Sequence, residues 1–398
     1  MEDRAVPLTE LERRLSAFKQ AMEAKGIDGA FIVQDADMAY FSGDESWQWL
    51  YIPTHRDPML CPNHGALPPE GGLGQVVGPM EDHEIGASVA DYCGRLPKIL
   101  GLEMDVLPFN LFEHYRAIFQ DPQCVDISPI ILFLRAIKSE WEIAQMEKTA
   151  QITQEAFRYM TQVISPGLSE MELAAAAEGF VQEKTSLPIG LRIRDYKSEG
   201  YPWHVLSGSN GGRLGLLDSP ASGEGTSAAF PCGAGPKKLK ENEPVMVDFA
   251  YEYKGYHIDE TRMFSVGPMP DEARRASEAV IKIHDAIIER ARPGVRAGEL
   301  FDISVSMAEG LGYGDEYLGP PGHKVSFVGH GIGLELIERP FIARGKEDIL
   351  HPGMTFAIEP KMVFKDRFGT GVESVFVVTE DGGRLISKVP VEIFVSEG

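Results

Sequence analysis

Cysteine is scarce in this chain and scattered where it occurs. The 398 residues include four, Cys61, Cys93, Cys124 and Cys232, with no paired spacing. That excludes a disulfide framework and a thiolate zinc site and leaves free thiols. Long apolar runs are missing as well, since none approaches the roughly 18 to 20 residues a membrane span needs. The N-terminus shows no basic region followed by an apolar core. A cytoplasmic protein with no membrane partner is therefore expected. Positive charge is in deficit, with 38 Lys and Arg against 60 Asp and Glu and a formal net charge of -22. Nucleic acid and anionic membranes both need a basic footprint, so neither is expected as a partner. A G-x-x-x-x-G-K-[ST] phosphate loop is also lacking, and Cys232 to Lys238 resembles one only in composition. What remains is ordinary for a globular protein: 43% apolar residues and enough length for two domains.

Taken in order, the text opens as α/β. Thr9 and Glu12 have the spacing of a capping box, and Leu11, Leu15, Phe18 and Met22 predict one apolar helix face that Gly26 ends. Gly29 to Val33 then reads as a buried strand, with Ala39-Tyr40-Phe41 as the next element. From about Met59 to Met80 prolines and glycines dissolve the pattern, and no regular structure is assigned there. Periodicity returns at Lys98 to Val106 and Cys124 to Leu134, closing an N-terminal domain at residues 1–136. Ser139 with Glu142 caps a long helix that opens a second domain, residues 137–398. The segments SPGLSEMEL and RPGVRAGEL lie 127 residues apart, each between two helical patterns. P-G turns are common, so on this text alone an internal duplication stays open.

Carboxylates on apolar strands are the feature most in need of explanation. VMVDFAYEYKGYHIDETRMF, Val245 to Phe264, alternates around Lys254-Gly255 as a hairpin does. With the turn there, Asp259 falls opposite Ala250, and Asp248 lies one step away on the same face. Glu359 ends one later apolar strand and Glu373 begins another. Their separation of 14 is even, so a shared face requires a bulge or an odd-length loop. Between the two acidic segments, His330 is flanked by Gly329 and Gly331 in a run that lacks the strand-loop-helix context of a dinucleotide site. Singly, a strand aspartate is usually an edge charge and a lone histidine a satisfied core residue. Together they form an oxygen-rich set with one nitrogen, which suits Mn, Fe or Co. Such a set can hold two ions about 3.5 to 4 Å apart that polarise a carbonyl and generate hydroxide from water.

VMVDFAYEYKGYHIDETRMF, GHGIGL, GMTFAIEP and GVESVFVVTEDG, in that order, resemble the metal-binding segments of the metallopeptidase family that holds methionine aminopeptidase, aminopeptidase P, prolidase and creatinase. The resemblance runs from about Leu134 to the end, with LRAIKSEWEI matching the entry helix. It implies an α/β (α+β) architecture: a pita-bread fold with an internal pseudo-twofold behind a creatinase/prolidase-type N-terminal α/β domain. It implies Asp248, Asp259, His330, Glu359 and Glu373 as ligands of two divalent ions, manganese first, with cobalt, iron or zinc able to serve. The expected reaction is hydrolysis of an amide bond in a small peptide of the Xaa-Pro kind by metal-bound hydroxide, with Glu359 or its neighbour taking the proton. Homodimers are common in the family, and one is expected here.

Two departures bear on that activity. The family pattern GHGIGL-x-x-H-E-x-P reads GHGIGLELIERP in this chain, with Ile337 where the histidine belongs. A second family histidine, before the first aspartate, aligns with Pro231 or with Gly215. Losing a group that moves a proton costs roughly 10²- to 10⁴-fold. The alternatives are a small C-N substrate of the creatinase or ectoine-hydrolase sort, a lyase reaction, or a binding module without turnover. His204, Arg213, Glu335 and Glu338 are candidates to replace the missing groups. Arg262, in the family's T-R after the second aspartate, is expected to orient a ligand carboxylate.

Overall fold

The computed structural model describes residues 6–63, 73–186, 190–194, 198–200, 203–214 and 219–397. They form two compact units, one of residues 1–135 with 192–199 and the other of residues 136–191 with 200–398. Among the described residues no helix is long and apolar enough to cross a membrane.

The first unit is built on a six-stranded sheet in the order Gln75–Val76, Met59–Pro62, Trp47–Pro53, Gly29–Ile32, Ile99–Leu102, Gln123–Asp126. Phe31, Trp49, Tyr51, Leu100, Leu102 and Phe119 pack as its core with Ile85 and Val89 of the helix Asp82–Cys93. The first helix, Leu8–Ala24, buries Leu11, Leu15, Phe18 and Met22 as its periodicity requires. Its cap differs from expectation. Pro7 is the N-cap and no side chain bonds there, so Thr9 sits inside the first turn. Ala39-Tyr40-Phe41 belongs to the helix Asp35–Ser42. The stretch left without regular structure contains the strand Met59–Pro62 and the edge strand Gln75–Val76, while residues 64–72 lie outside the described residues.

The second unit repeats one arrangement twice. Helices Glu140–Val163 and Glu170–Thr185 pack on a sheet of Trp203–Ser207, Val245–Tyr253, Tyr256–Val266 and Phe394–Ser396. Helices Asp271–Arg290 and Ala297–Gly310 pack on a sheet of Glu338–Ala343, Phe327–Gly331, Thr355–Ile358, Ser374–Thr379 and Gly382–Leu385. Ser139 and Ser169 both close capping boxes, with Glu142 and Glu172. The turns between the paired helices are tied down identically. Gly167 N donates to Leu239 O at 2.9 Å and Leu239 N to Leu168 O at 2.8 Å; Gly294 N donates to Leu350 O at 3.0 Å and Leu350 N to Val295 O at 2.9 Å. The two P-G segments are therefore copies of one unit.

Strand parity separates what each sheet gives to the helices from what it keeps. Val245, Val247, Phe249 and Tyr251 join the helix-side core, so Asp248 and Ala250 face the other way. Phe356 and Ile358 do the same in the second sheet, which turns Ala357 and Glu359 away from the helices.

Candidate metal centre

In the first hairpin Ala250 pairs with Asp259 and Asp248 with Thr261, the register expected from a turn at Lys254-Gly255. Both turn residues have positive φ, 55° and 88°, as the tight hairpin turn demands. Asp248 and Asp259 thus share a face. The second carboxylate pair is aligned by an odd-length loop. Ile358 pairs with Ser374, and beyond Pro360 the same register continues through Lys361 with Gly371 to Phe364 with Phe368, leaving the three residues 365–367 as the turn. Glu359 and Glu373 then stand opposite one another. His330 arrives on Phe327–Gly331, beside Ala357. That strand runs close to its neighbour because Gly329 has no side chain: a Cβ there would lie 2.5 Å from Ala357 O.

All five expected ligands line one cleft of about 260 Å³, together with His204, Ser219, Phe327, Ile337, Phe341 and Lys361. Ligand atoms of Asp259, His330 and Glu373 lie within 4.8 Å of one another. Asp259 Oδ1 and Glu373 Oε1 are buried with no hydrogen-bond partner, a costly state for carboxylate oxygens unless something positive meets them. His330 Nδ1 lies 2.9 Å from Gly331 O; facing a carbonyl, it carries the proton, and Nε2 presents its lone pair to the cleft. Two carboxylate oxygens without partners and one imidazole nitrogen, which has Glu359 Oε1 at 3.7 Å, fit a divalent ion. Burial and neighbouring carboxylates, Glu373 and Asp248 foremost, push Asp259 well above the ordinary carboxylate range.

Lys361 is the residue the sequence reading missed. Its ammonium donates to Glu359 Oε2 at 2.7 Å, Asp248 Oδ2 at 2.9 Å and Glu373 Oε2 at 3.4 Å. Burial opposes its charge, but the carboxylates of Asp248, Glu359 and Glu373 outweigh that and hold it protonated well above the usual lysine range. The signal was available, because Lys361 is two residues beyond Glu359 on an extended chain and so projects from the same face.

The other candidates divide sharply. His204 pairs with Asp248 across the sheet and lines the cleft; burial lowers its pKa, with Asp248 pulling the other way. Arg213 pairs instead with Glu224 and Asp366, Glu338 is held by Lys138 at 2.8 Å, and Glu335 is fully buried; none of the three lines the cleft. Gly215 lies outside the described residues. Pro231 does not line the cleft, whereas Ile337 does.

Arg262 corrects an expectation. It stands three residues from Asp259, an odd step that sends it to the opposite face. There its guanidinium donates to the main-chain oxygens of Thr261, Glu373, Val389 and Pro390. It fixes the backbone that carries Glu373 and does not touch a ligand carboxylate.

A duplicated α/β fold with four carboxylates and an imidazole converging between its halves defines a metallohydrolase of the pita-bread type. Sequence comparison agrees: residues 144–380 match the model of metallopeptidase family M24 and residues 14–137 that of the creatinase/prolidase N-terminal domain. The chain belongs to family M24. It is 26% identical over 395 residues to an Xaa-Pro dipeptidase of Pyrococcus furiosus, covering 96% of this chain and 100% of that one. Against an Xaa-Pro dipeptidase of Lactobacillus delbrueckii subsp. lactis it is 24% identical over 92% of this chain and 95% of the other. Among solved structures, an Xaa-Pro dipeptidase from Bacillus anthracis superposes with a TM-score of 0.79 at 23% identity, covering 97% of this chain and 99% of that chain. A prolidase from Pyrococcus horikoshii OT3 gives 0.78 at 22%, covering 95% and 99%.

Proposed function

We propose that this chain is a metal-dependent hydrolase that cleaves the amide bond of small Xaa-Pro peptides. The observation that carries the reading is the pair Asp259 Oδ1 and Glu373 Oε1, buried without hydrogen-bond partners beside His330 in one cleft. Whole-length relatives named Xaa-Pro dipeptidases support the substrate class. A divalent ion held by these groups supplies Lewis acidity, polarising the amide carbonyl and acidifying a water. Manganese is the first choice for so oxygen-rich a set. Of the two ions implied by the family resemblance, this set accounts for one.

The chain's own residues do the rest. Glu359, whose Oε2 is fixed by Lys361, presents Oε1 toward the His330 side, 3.7 Å from Nε2, and takes the proton from the attacking water. Phe327, Leu336, Ile337 and Phe341 give the cleft an apolar wall against which a pyrrolidine ring packs. His204, opposite Asp248, is the hydrogen-bonding group that remains where the family histidines are absent. A homodimer is proposed from the family resemblance, and a cytoplasmic location is supported by the four free cysteines. The readings as a C-N hydrolase of another kind, a lyase or a binding module gain no support from the dipeptidase relatives.

The test is turnover of Xaa-Pro dipeptides and longer peptides, beside creatine-like and ectoine-like amides, by protein loaded with Mn, Co, Fe or Zn. Dipeptide cleavage that chelation abolishes, and that His330→Ala lowers by about 10²-fold or more, is expected. Turnover of only the non-peptide amides would replace the substrate assignment.

A further inference from the structure

The carboxylate cluster has two sides, and only one of them asks for a metal. On the first are Asp259 Oδ1 and Glu373 Oε1, without partners. On the second are Asp248 Oδ2, Glu359 Oε2 and Glu373 Oε2, all three bonded to the ammonium of Lys361. We propose that the Lys361 ammonium stands in for the second cation, so that the centre holds one divalent ion, at Asp259, His330 and Glu373, and not a pair. The assignment deepens the metal-centre reading above and rests on it.

The geometry is that of a built site. An ammonium has three N–H donors and no acceptor, and here each donor meets a different carboxylate. The lysine is 3% exposed, so it has no other means of solvating its charge. Its stem is accommodated by the residue directly across the strand pair: Gly371 pairs with Lys361, and a Cβ there would fall 2.7 Å from Lys361 Cγ. Strand parity forces the same result, because Lys361 follows Glu359 by two residues and cannot face elsewhere while that hairpin persists. A metal ion bound to Asp248 and Glu359 would have to displace the ammonium or sit against it, like charge on like charge.

Fixed positive charge at this position changes what the centre needs. One divalent ion and one ammonium bring three positive charges to four carboxylates, and the ammonium neither exchanges nor responds to chelators. Half of the cluster therefore stays organised without metal.

The experiment counts ions. Protein stripped by chelator is equilibrated with Mn²⁺ or Co²⁺, desalted and measured for metal per chain by plasma mass spectrometry, alongside Lys361→Met, which keeps the stem, and Lys361→Ala. One ion per wild-type chain is expected, rising about twofold in the variants, with a larger metal-induced rise in melting temperature in the variants than in wild type. The wild-type count requires no variant to fold. Two ions in wild type overturn the substitution and leave the metal centre intact. One ion in every protein shows that Lys361 excludes nothing and overturns it too. No ion in wild type with one in the variants also overturns it, because the lysine would then displace the only ion. No ion anywhere, with His330→Ala melting like wild type in added metal, removes the metal centre and the substitution together.

Discussion

Each unit of this protein buries acidic residues, and the two clusters are resolved in opposite ways. In the first unit Asp37 is fully buried and meets Arg135 at 2.6 Å and Arg194 at 2.9 Å. Beside it Glu103 accepts from the Val33 and Gln34 amides at 2.8 and 3.1 Å. Burial and the Asp37 charge push Glu103 well above the carboxylate range, while the two guanidiniums outweigh burial and hold Asp37 down at about 2. There the chain's own guanidiniums meet the Asp37 charge, and one oxygen, Glu103 Oε1, is left without a hydrogen-bond partner. In the second unit one ammonium serves three of four carboxylates, and two oxygens are left over. The residue types are nearly the same. What distinguishes a structural cluster from a functional one is the deficit.

The largest effects should therefore have opposite signs. Arg135→Met strands part of the Asp37 charge and should cost about 3 kcal/mol or more, read by urea denaturation and unchanged by added metal. Asp259→Asn removes a charge from a cluster that has too many. It should leave metal-free protein as stable as wild type or more so, while weakening metal affinity by about 10²-fold, as followed by metal-induced shifts in melting temperature. If both variants destabilise alike in the absence of metal, the contrast between the clusters is wrong.

Acid should separate them next. Asp37 has a folded pKa of about 2, below its unfolded value of about 3.9. Its stabilisation is therefore complete above the unfolded value and is lost as pH falls through the folded one. About 2 kcal/mol is at stake between pH 4 and pH 2. Asp37→Asn should flatten that segment of the stability profile, and a profile unchanged by the substitution would show that Asp37 is not the group responsible.

Much of the second cluster was legible because hairpins transmit register. Once a two-residue turn is placed at Lys254-Gly255, Asp248 and Asp259 can only share a face, and the even separation of Glu359 and Glu373 demanded a bulge or an odd-length loop, of which the structure has the latter at 365–367. The same parity governs the basic residues of these strands. Applied to Arg262, three residues from Asp259, it would have sent the guanidinium to the helix side. Applied to Lys361 it would have placed a cation among the ligands, but a lysine close to Lys365-Asp366-Arg367 reads as one more turn charge. The cap at Thr9 failed for a local reason, since Pro7 already supplies a backbone suited to the helix start. The strand Met59–Pro62 was hidden by its brevity and its terminal proline. The Asp37 cluster left no sequence signal at all, because Asp37, Arg135 and Arg194 are brought together only by folding.

The smallest effect concerns the residue that makes room for Lys361. At Gly371 an added methyl would lie 2.7 Å from Lys361 Cγ and 3.2 Å from Met246 Sδ. The lysine stem must then shift, and overpacking of this kind costs about 1 to 3 kcal/mol. If the ammonium is what organises Asp248 and Glu359, Gly371→Ala should destabilise the metal-free protein and let added metal recover a larger share of the loss than it adds to wild type. A crowding effect without that role for Lys361 would lower the melting temperature by the same amount with and without metal. Comparing the two shifts in one titration distinguishes a glycine that serves only packing from one that serves the charge balance of the cluster.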